Sequence, residues 1–358
     1  MSHSAEAPRW VRDALQAGLV IPAHPLALSA DGVYDERRQR ALTRYYAAAG
    51  AGGVAVGVHT TQFAIRDPAH NLLEPVLRTA GDALDEIERN GGPRLVRVAG
   101  VCGPTPQAVR EAELARSLGY HAGLLSLAAL PQADDDALIA HCRAVADVIP
   151  LFGFYLQTAI SGRPLGEAFW RRFAAIDNVL AIKIAPFDRY QTLDVVRGVA
   201  RAGRAGEIAL YTGNDDHIVA DLLTPFSTRV GGVTVTQRMV GGLLGHWAVW
   251  TRRAVETFDR VQALRTGATP LTPAALALDA QVTDCNAALF DPAHGFAGCV
   301  PGINHVLHGQ GLLASDRCLD PHERLSPGQA ERIARVRRDH PHLIDDEFVA
   351  ERLDAWLS

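Results

Sequence analysis

One amine, one phenol and two hydroxyls stand in apolar surroundings, where side chains of these types can do chemistry. Lys183 is the only lysine among the 35 lysine and arginine residues, and it lies in the apolar run 178–186. An arginine stays protonated, whereas a buried lysine can lose its proton and attack a carbonyl carbon. Tyr155 can carry protons, and Thr60 and Thr61 can hold a carboxylate. Together these residue types predict imine formation with a carbonyl compound that carries a carboxylate.

Each of these residues also has a plain structural explanation. Lys183 could survive by chance in an arginine-rich chain, and Tyr155 could be a core tyrosine. Thr60 and Thr61 could simply end a strand. The polar run that begins at Asn214 could cap a helix.

A short apolar run followed by an amphipathic stretch recurs eight times along the chain. The predicted strands are residues 18–23, 52–58, 94–101, 121–127, 150–156, 179–184, 207–212 and 232–236. The predicted helices are residues 35–50, 79–91, 105–119, 133–148, 164–176, 189–203, 215–224 and 239–265. Continuous apolar strands are buried on both faces, and eight such units over about 230 residues match a barrel of alternating strands and helices.

We therefore predict an α/β fold, a (β/α)8 TIM barrel with a C-terminal helical extension. The predicted segments are an N-terminal helical lead-in (1–17), the catalytic barrel (18–250) and a C-terminal helical region packed on the barrel (251–358). A doubly wound open sheet is the alternative. Gly50, Gly52 and Gly53 precede a strand instead of opening a helix, so the dinucleotide-binding pattern is not met.

Reactive groups of such a barrel lie at the C-terminal ends of its strands. Tyr155 lies near the end of the fifth predicted strand and Lys183 near the end of the sixth. The second strand is followed by the threonine pair, the seventh by Asn214, Asp215 and Asp216, and the eighth by Gln237. All of these side chains are expected on one face of the barrel.

Composition excludes several other classes of protein. The 358 residues are 48% hydrophobic and carry a formal charge of −5, which gives no electrostatic footprint for nucleic acid. No apolar run reaches the roughly 18 residues of a membrane span, and the N-terminus has no signal-peptide pattern, so a cytoplasmic location is expected. The five cysteines are scattered singly, which fits reduced thiols and predicts no structural metal.

Several short motifs, in this order, resemble the dihydrodipicolinate synthase and N-acetylneuraminate lyase superfamily of class I aldolases over nearly the whole chain. They are residues 21–25 with 31–35, Gly57-Val-His-Thr-Thr61, Phe154-Tyr155 followed by Ser161-Gly162, and Ala181-Ile-Lys-Ile184. The resemblance implies that Lys183 forms the Schiff base and Tyr155 carries protons. It also implies that Thr60 and Thr61 fix the substrate carboxylate and that Asn214 and Asp215 hold substrate hydroxyls. No metal or organic cofactor is required, and a homotetramer or homodimer is expected.

The chain departs from the family pattern at three places. Gln62-Phe63 replaces the usual Gly-Glu after the threonines, and Ile160 replaces an arginine of the synthase. Residues 126–131 lack the tyrosine pair of the family, so its proton relay is either lost or rebuilt. The polar residues considered as replacements are Gln157, Asp188, Arg189 and Gln237, of which Gln237 is taken as a substrate-binding residue.

Two functions remain open. The first is a Schiff-base-forming lyase, an aldolase or dehydratase, acting on pyruvate or another 2-oxo acid with an aldehyde as a candidate second substrate. The missing arginine argues against a true dihydrodipicolinate synthase. The second is a non-catalytic oxo-acid-binding or regulatory protein on the same barrel.

Overall fold

Eight strands and the helices between them follow one another in (β/α)8 order in the computed structural model, which describes residues 6–158 and 163–358. The predicted (β/α)8 barrel with C-terminal helices is confirmed. The eight strands of the barrel sheet are β1 (Val20–Pro22), β2 (Gly53–Val56), β3 (Val96–Val101), β4 (Ala122–Leu125), β5 (Leu151–Leu156), β6 (Val179–Ala185), β7 (Ala209–Thr212) and β10 (Met239–Leu244), and a separate two-stranded sheet is formed by β8 (Phe226–Val230) and β9 (Val233–Gln237).

The helices of the barrel region are α1 (Arg9–Ala17), α2 (Glu36–Ala49), α3 (Leu73–Arg89), α4 (Thr105–Ser117), α5 (Asp135–Ala146), α6 (Glu167–Ala174), α7 (Arg189–Arg201) and α8 (Ile218–Leu223). They are followed by α9 (Thr251–Arg265), α10 (Pro273–Phe290), α11 (Cys299–Gly309), α12 (Gln329–Asp339), α13 (Asp346–Ala350) and α14 (Leu353–Leu357). Among the described residues, no helix combines the length and the apolar character that a membrane crossing needs. All five cysteines are free thiols, as predicted.

The first of two compact units comprises the chain up to Leu19 together with Val96–Leu243. Six of its strands lie side by side in the order β10-β7-β6-β5-β4-β3 and run parallel, while β8 and β9 form a separate antiparallel pair. Every residue of β6 is buried, as expected for a parallel strand covered on both faces. Helix α1 is tied to this sheet because the Tyr211 hydroxyl donates to the Leu15 carbonyl at 2.9 Å.

The second unit comprises Val20–Leu95 and Leu244–Ser358. Strands β1 and β2 run parallel and meet at a bridge between Ala23 and Ala55. The C-terminal helices are joined to α2 through buried tyrosines: Tyr45 donates from its hydroxyl to Asp345 at 2.8 Å, and Tyr46 donates to the Ala248 carbonyl at 3.0 Å. The predicted division into residues 1–17, 18–250 and 251–358 stays a prediction.

The prediction of the eighth barrel strand was wrong. Residues 232–236 belong to a hairpin of β8 and β9, and the eighth barrel strand is β10. Gly231 and Gly232 have φ of 55° and 86°, which is the left-handed backbone of a two-residue hairpin turn. Most residues of β9 are exposed, so its alternation of valine and threonine reflects a half-solvated hairpin and not a buried parallel strand. The helix predicted over 239–265 is correspondingly shorter and begins at Thr251.

Candidate functional site

Lys183 lies in the middle of the parallel sheet of the first unit. It pairs with Phe154 of β5 on one side and with Tyr211 of β7 on the other, so these three side chains share a face of the sheet. The side chain of Lys183 is buried, with 8% of the residue exposed. Its Nζ lies 4.7 Å from the centroid of the Phe154 ring. An aromatic face at this distance stabilises a cation on the lysine nitrogen.

Gly213 provides the space for the stem of Lys183. A Cβ built at position 213 would lie 2.6 Å from Cε and 2.9 Å from Cγ of the lysine, and 2.7 Å from Cβ of Ala185. Carbon atoms in contact prefer about 3.5 to 4.0 Å, so no side chain fits at position 213 without displacing the lysine. A backbone hydrogen bond from Gly213 N–H to the Ile184 carbonyl, at 2.7 Å, keeps this approach close.

Tyr155 lies on the other face of the sheet. It pairs with Ile184, and its ring packs 5.3 Å from the ring of Trp170 in α6. Its hydroxyl accepts a hydrogen bond from Leu165 N–H at 3.0 Å, and burial raises the pKa of Tyr155. The structure therefore does not bring Tyr155 to Lys183. The side chain of β5 beside the amine is that of Phe154.

The reason for this difference is one residue of strand register. Successive side chains of a strand point to opposite faces, so a shift of one position exchanges the inner and outer residues. The pairing of β5 with β6 has an irregularity between Leu151 and Phe152, after which Phe154 stands opposite Lys183. From the sequence Phe154-Tyr155 alone, it is not possible to tell which of the two side chains lies on the same face of the sheet as Lys183.

Asn214 is fully buried, and its side chain forms hydrogen bonds to other groups of the protein. Its Oδ1 accepts from Phe187 N–H at 2.9 Å, and its Nδ2 donates to Asp221 at 2.9 Å and to Thr192 Oγ1 at 3.3 Å. The residue is 0% exposed. A side chain with these partners supports the loops that follow β6 and β7. The role in binding substrate hydroxyls predicted for Asn214 is therefore not supported by its hydrogen bonds.

Asp215 follows directly and is also buried, with 4% exposed, while Asp216 is exposed. The backbone N–H of Asp215 donates to the Gly213 carbonyl at 3.1 Å. Both carboxylates lie beyond the C-terminal end of β7, two and three residues after the glycine that borders Lys183. Substrate binding by Asp215 remains a prediction.

Asp221 is a buried acid that the sequence analysis did not single out. Its residue is 0% exposed, its Oδ2 accepts from Thr212 Oγ1 at 2.7 Å, and Arg189 forms an ion pair with it. An isolated buried carboxylate is costly, and the guanidinium offsets part of that cost. The sequence feature that could have indicated this residue is the single acid within the apolar segment Ile218–Leu223.

Gln237 does not lie where the prediction placed it. It ends β9 and therefore precedes β10, so it stands before the N-terminal end of the eighth barrel strand and not after its C-terminal end. The residue is 5% exposed, and among the described residues neither its Oε1 nor its Nε2 has a hydrogen-bond partner.

The threonine pair belongs to the second unit, in a short helical turn, His59–Thr61, after β2. Thr60 donates its hydroxyl to the Ala23 carbonyl at 2.8 Å, and Thr61 donates to the His24 carbonyl at 2.6 Å. The Thr61 hydroxyl also accepts from Gly57 N–H at 2.9 Å and from Val58 N–H at 3.2 Å. Both hydroxyl protons are thus given to backbone carbonyls. The predicted contact of these hydroxyls with a carboxylate remains a prediction.

The next residue, Gln62, stands where the family pattern has a glycine. Its φ is 67°, in the left-handed region that glycine adopts most easily. Its Oε1 accepts from Leu319 N–H at 2.6 Å. A hydrogen bond from the C-terminal region therefore holds this strained residue.

His24 is a further buried group that the sequence analysis did not assign. Its Nε2 lies 2.9 Å from Thr43 Oγ1, and its Nδ1 lies 2.9 Å from both the Pro25 carbonyl oxygen and Gln39 Nε2. Burial lowers the pKa of His24 to about 4, so the ring is neutral at pH 7.

Two positions of the family comparison fall in the gap between residues 158 and 163. Ile160 and Ser161-Gly162 lie outside the described residues. Arg163, the first residue after them, donates from its guanidinium to the carbonyls of Leu130 at 2.8 Å and Ala133 at 2.9 Å. Arg163 thus fastens the loop that follows β4.

Within residues 6–158 and 163–358, no group of three or more His, Cys, Asp or Glu side chains is arranged to hold a metal ion.

No protein-family model matches the chain. A 4-hydroxy-tetrahydrodipicolinate synthase of Synechocystis sp. (strain ATCC 27184 / PCC 6803 / Kazusa) is 26% identical over 234 residues, which cover 63% of this chain and 71% of that protein.

Solved structures from both branches of the predicted superfamily share the fold. Dihydrodipicolinate synthase from Oceanobacillus iheyensis is 15% identical with a TM-score of 0.71, covering 92% of this chain and 99% of its own. N-acetylneuraminate lyase from Fusobacterium nucleatum is 15% identical with a TM-score of 0.69, covering 92% of this chain and 100% of its own. The predicted resemblance to the dihydrodipicolinate synthase and N-acetylneuraminate lyase superfamily is confirmed.

Proposed function

We propose, from the likeness to the dihydrodipicolinate synthase and N-acetylneuraminate lyase superfamily, that this protein is a Schiff-base-forming lyase. Its substrate is pyruvate or another 2-oxo acid, and its reaction is an aldol cleavage or condensation, or a dehydration. The observation that carries the proposal is Lys183: the chain has a single lysine, and it stands buried on β6 with an aromatic ring beside its nitrogen and a glycine beside its stem.

The chemistry begins with the neutral amine. The lone pair of Nζ adds to the carbonyl carbon of the oxo acid, and uptake of one proton with loss of water gives a protonated imine. The electron pair of a neighbouring C–C or C–H bond then moves toward the imine nitrogen, which releases an aldehyde or a proton, respectively, and leaves an enamine. The Phe154 ring stabilises a cation at Nζ, and the protonated imine carries such a charge. None of these steps requires a metal or an organic cofactor.

We further propose that the chain is not a dihydrodipicolinate synthase. The synthase pattern has an arginine where this sequence has Ile160, and that arginine would bind the carboxylate of the second substrate. The nearby Arg163 uses its guanidinium to hold two carbonyls of the loop after β4. An aldehyde without that carboxylate is therefore the preferred second substrate.

Borohydride reduction of the full chain in the presence of pyruvate tests the proposal. The only amines are Lys183 and the N-terminal α-amino group, so peptide mapping by mass spectrometry separates the two sites. A reduced adduct on Lys183 is expected. Lys183→Arg should keep the fold and lose both the adduct and turnover, since guanidinium does not become a neutral nucleophile. If a panel of 2-oxo acids gives no adduct on Lys183, the proposal is wrong.

A second candidate is a non-catalytic oxo-acid-binding or regulatory protein. The position of Tyr155 favours it, because the hydroxyl expected to carry protons is bonded to Leu165 N–H on the opposite face of the sheet from Lys183. A binder would bind 2-oxo acids, with or without an adduct on Lys183, without consuming them, whereas a lyase would also exchange the C3 hydrogens of the trapped oxo acid with solvent. Proton exchange monitored by NMR in D2O separates the two functions.

A further inference from the structure

A buried polar network lies behind the ends of β6 and β7, on the face opposite Lys183. Its centre is the carboxylate of Asp221, which accepts from Thr212 Oγ1 at 2.7 Å and from Asn214 Nδ2 at 2.9 Å. Arg189, at the start of α7, supplies the opposite charge. Thr212 pairs with Ile184, and alternation along the strand places both on the face away from the lysine.

Asn214 connects this network to the end of β6. Its Oδ1 accepts from the backbone N–H of Phe187 at 2.9 Å. Phe187 has φ of 56°, a left-handed conformation that is unfavourable for a residue with a large side chain and persists only where the surroundings hold it. The hydrogen bond to Asn214 is such a restraint.

The network also fixes the wall beside the lysine. Gly213 lies between Thr212 and Asn214, both of which are held by Asp221, and its Cα borders the stem of Lys183. A movement of this turn by a few tenths of an ångström would either loosen the lysine or press on it. The two strand ends that determine where Nζ points are therefore fastened to one buried acid.

We propose that Asn214 and Asp221 are positioning residues for Lys183. Together they hold the turns at Phe187 and Gly213 so that the amine keeps a single orientation. A buried charge is a costly way to gain stability, and apolar replacements of buried ion pairs are often neutral or stabilising. A fully bonded polar network instead specifies one geometry. The catalytic part of this inference rests on the proposed imine chemistry, whereas the orientation of the lysine does not.

The test exploits the single lysine. Reductive methylation with 13C-formaldehyde labels only Lys183 and the N-terminal amine, so one side-chain methyl signal reports on the environment of Lys183. Asn214→Asp removes the Nδ2 donor and sets a carboxylate against Asp221. The double variant Asn214→Asp/Asp221→Asn restores one amide, one acid and the original charge.

Asn178→Asp is the matched control. Asn178 precedes β6 at its other end, is 7% exposed, and donates from Nδ2 to the Ala146 carbonyl at 2.8 Å. The same substitution there also buries a carboxylate and removes an amide donor. It should lower the melting temperature without changing the methyl signal of Lys183 or the rate of adduct formation.

The rate of pyruvate adduct formation at saturating pyruvate is expected to fall about 10- to 100-fold in Asn214→Asp, since misplacement of a reacting group by about 1 Å costs 100-fold. The concentration of pyruvate for half-maximal rate should change less than threefold. The methyl signal should shift or broaden, and the double variant should regain most of the rate and the wild-type signal. A wild-type rate and signal in Asn214→Asp, or a double variant as impaired as the single one, overturns the inference.

Failure of the proposed function is distinguishable from failure of the positioning role. If the wild-type chain forms no adduct with any 2-oxo acid, the imine proposal is wrong. The methyl signal is measured without any oxo acid, so the comparison of the four proteins still supports or overturns the positioning of Lys183.

Discussion

Gly213→Ala should damage the lysine site while leaving the rest of the fold intact. The new Cβ would lie 2.6 Å from Cε of Lys183 and 2.7 Å from Cβ of Ala185. Carbon contacts prefer about 3.5 Å or more, so the lysine side chain must move by about 1 Å. Inserting a methyl group into a packed core costs about 1 to 3 kcal/mol in the free energy of unfolding. A shift of about 1 Å in a reacting group costs about 100-fold in rate.

Two glycine controls separate the lysine effect from general overpacking. Gly198→Ala puts a Cβ 2.6 Å from Cβ of Trp170 and 2.9 Å from the backbone nitrogen of Arg171, between α7 and α6. At Gly206, a Cβ meets no heavy atom within 4 Å in the described part of the chain. Urea unfolding should show a loss of stability in Gly213→Ala and Gly198→Ala but little change in Gly206→Ala. Only Gly213→Ala should slow borohydride trapping of the pyruvate adduct.

A double-mutant cycle with Lys183→Ala refines the magnitude. Removing Cε and Cγ of the lysine eliminates two of the three close contacts, while the contact with Ala185 remains. The destabilisation caused by Gly213→Ala should therefore be smaller in the Lys183→Ala background, with a coupling of about 0.5 to 3 kcal/mol. A coupling of zero, or trapping at the wild-type rate in Gly213→Ala, would refute the packing argument.

Three further predictions follow from the buried groups. Tyr155→Phe should lower the free energy of unfolding by about 1 to 3 kcal/mol, because the buried N–H of Leu165 loses its acceptor. The variant should still form the Lys183 adduct. Loss of the adduct in a folded variant would contradict the assignment of Tyr155 to the opposite face of the sheet. Gln237→Leu should raise the midpoint of urea unfolding, because its buried amide has no hydrogen-bond partner among the described residues. Gln329→Leu should lower the midpoint, because the amide of Gln329 donates to three carbonyls at 2.9 to 3.3 Å. Equal shifts of the same sign in the two variants would count against this reasoning. Burial lowers the pKa of His24 and His246 from 6.5 to about 4, so the unfolded chain binds more protons than the folded chain between those pH values. The free energy of unfolding should therefore be highest above pH 6.5 and should fall as the pH approaches 4, by up to about 1.4 kcal/mol per pH unit for each histidine. A free energy of unfolding that stays constant from pH 6.5 to 4 would rule this out.

The strand and helix order could be predicted because it depends on patterns along the chain. Apolar runs such as Val179–Ala185 mark buried parallel strands, and the charged amphipathic stretches between them mark helices. The eighth strand could not be placed the same way. The valine and threonine residues of β9 have the composition of a strand, but their exposure on a hairpin is a tertiary property. The strand that enters the barrel sheet, β10, contains two glycines and gave a weaker signal.

The residues of the site were predictable by type more readily than by orientation. An isolated lysine in an apolar strand is visible in the sequence, and its burial follows. Which face Tyr155 occupies depends on the register of β5 against β6, and one irregular position reverses it. Asn214 was visible as a polar residue after β7. Its partner Asp221 lies seven residues further on, in a different element, so their hydrogen bond appears only in the structure.

The position of Lys183 and that of Tyr155 lead to one conclusion about the chemistry. A 2-oxo acid bound to Lys183 as an imine would sit on the face of the sheet that carries Phe154 and Tyr211. The Tyr211 hydroxyl is already bonded to the Leu15 carbonyl, and the Tyr155 hydroxyl lies on the opposite face. Proton transfer in this protein would therefore use a different group from the tyrosine that its sequence motif suggests. Lys183 as the imine-forming residue remains a proposal, and the proton carrier has to be sought by substituting the polar residues beyond the strand ends, beginning with Asp215.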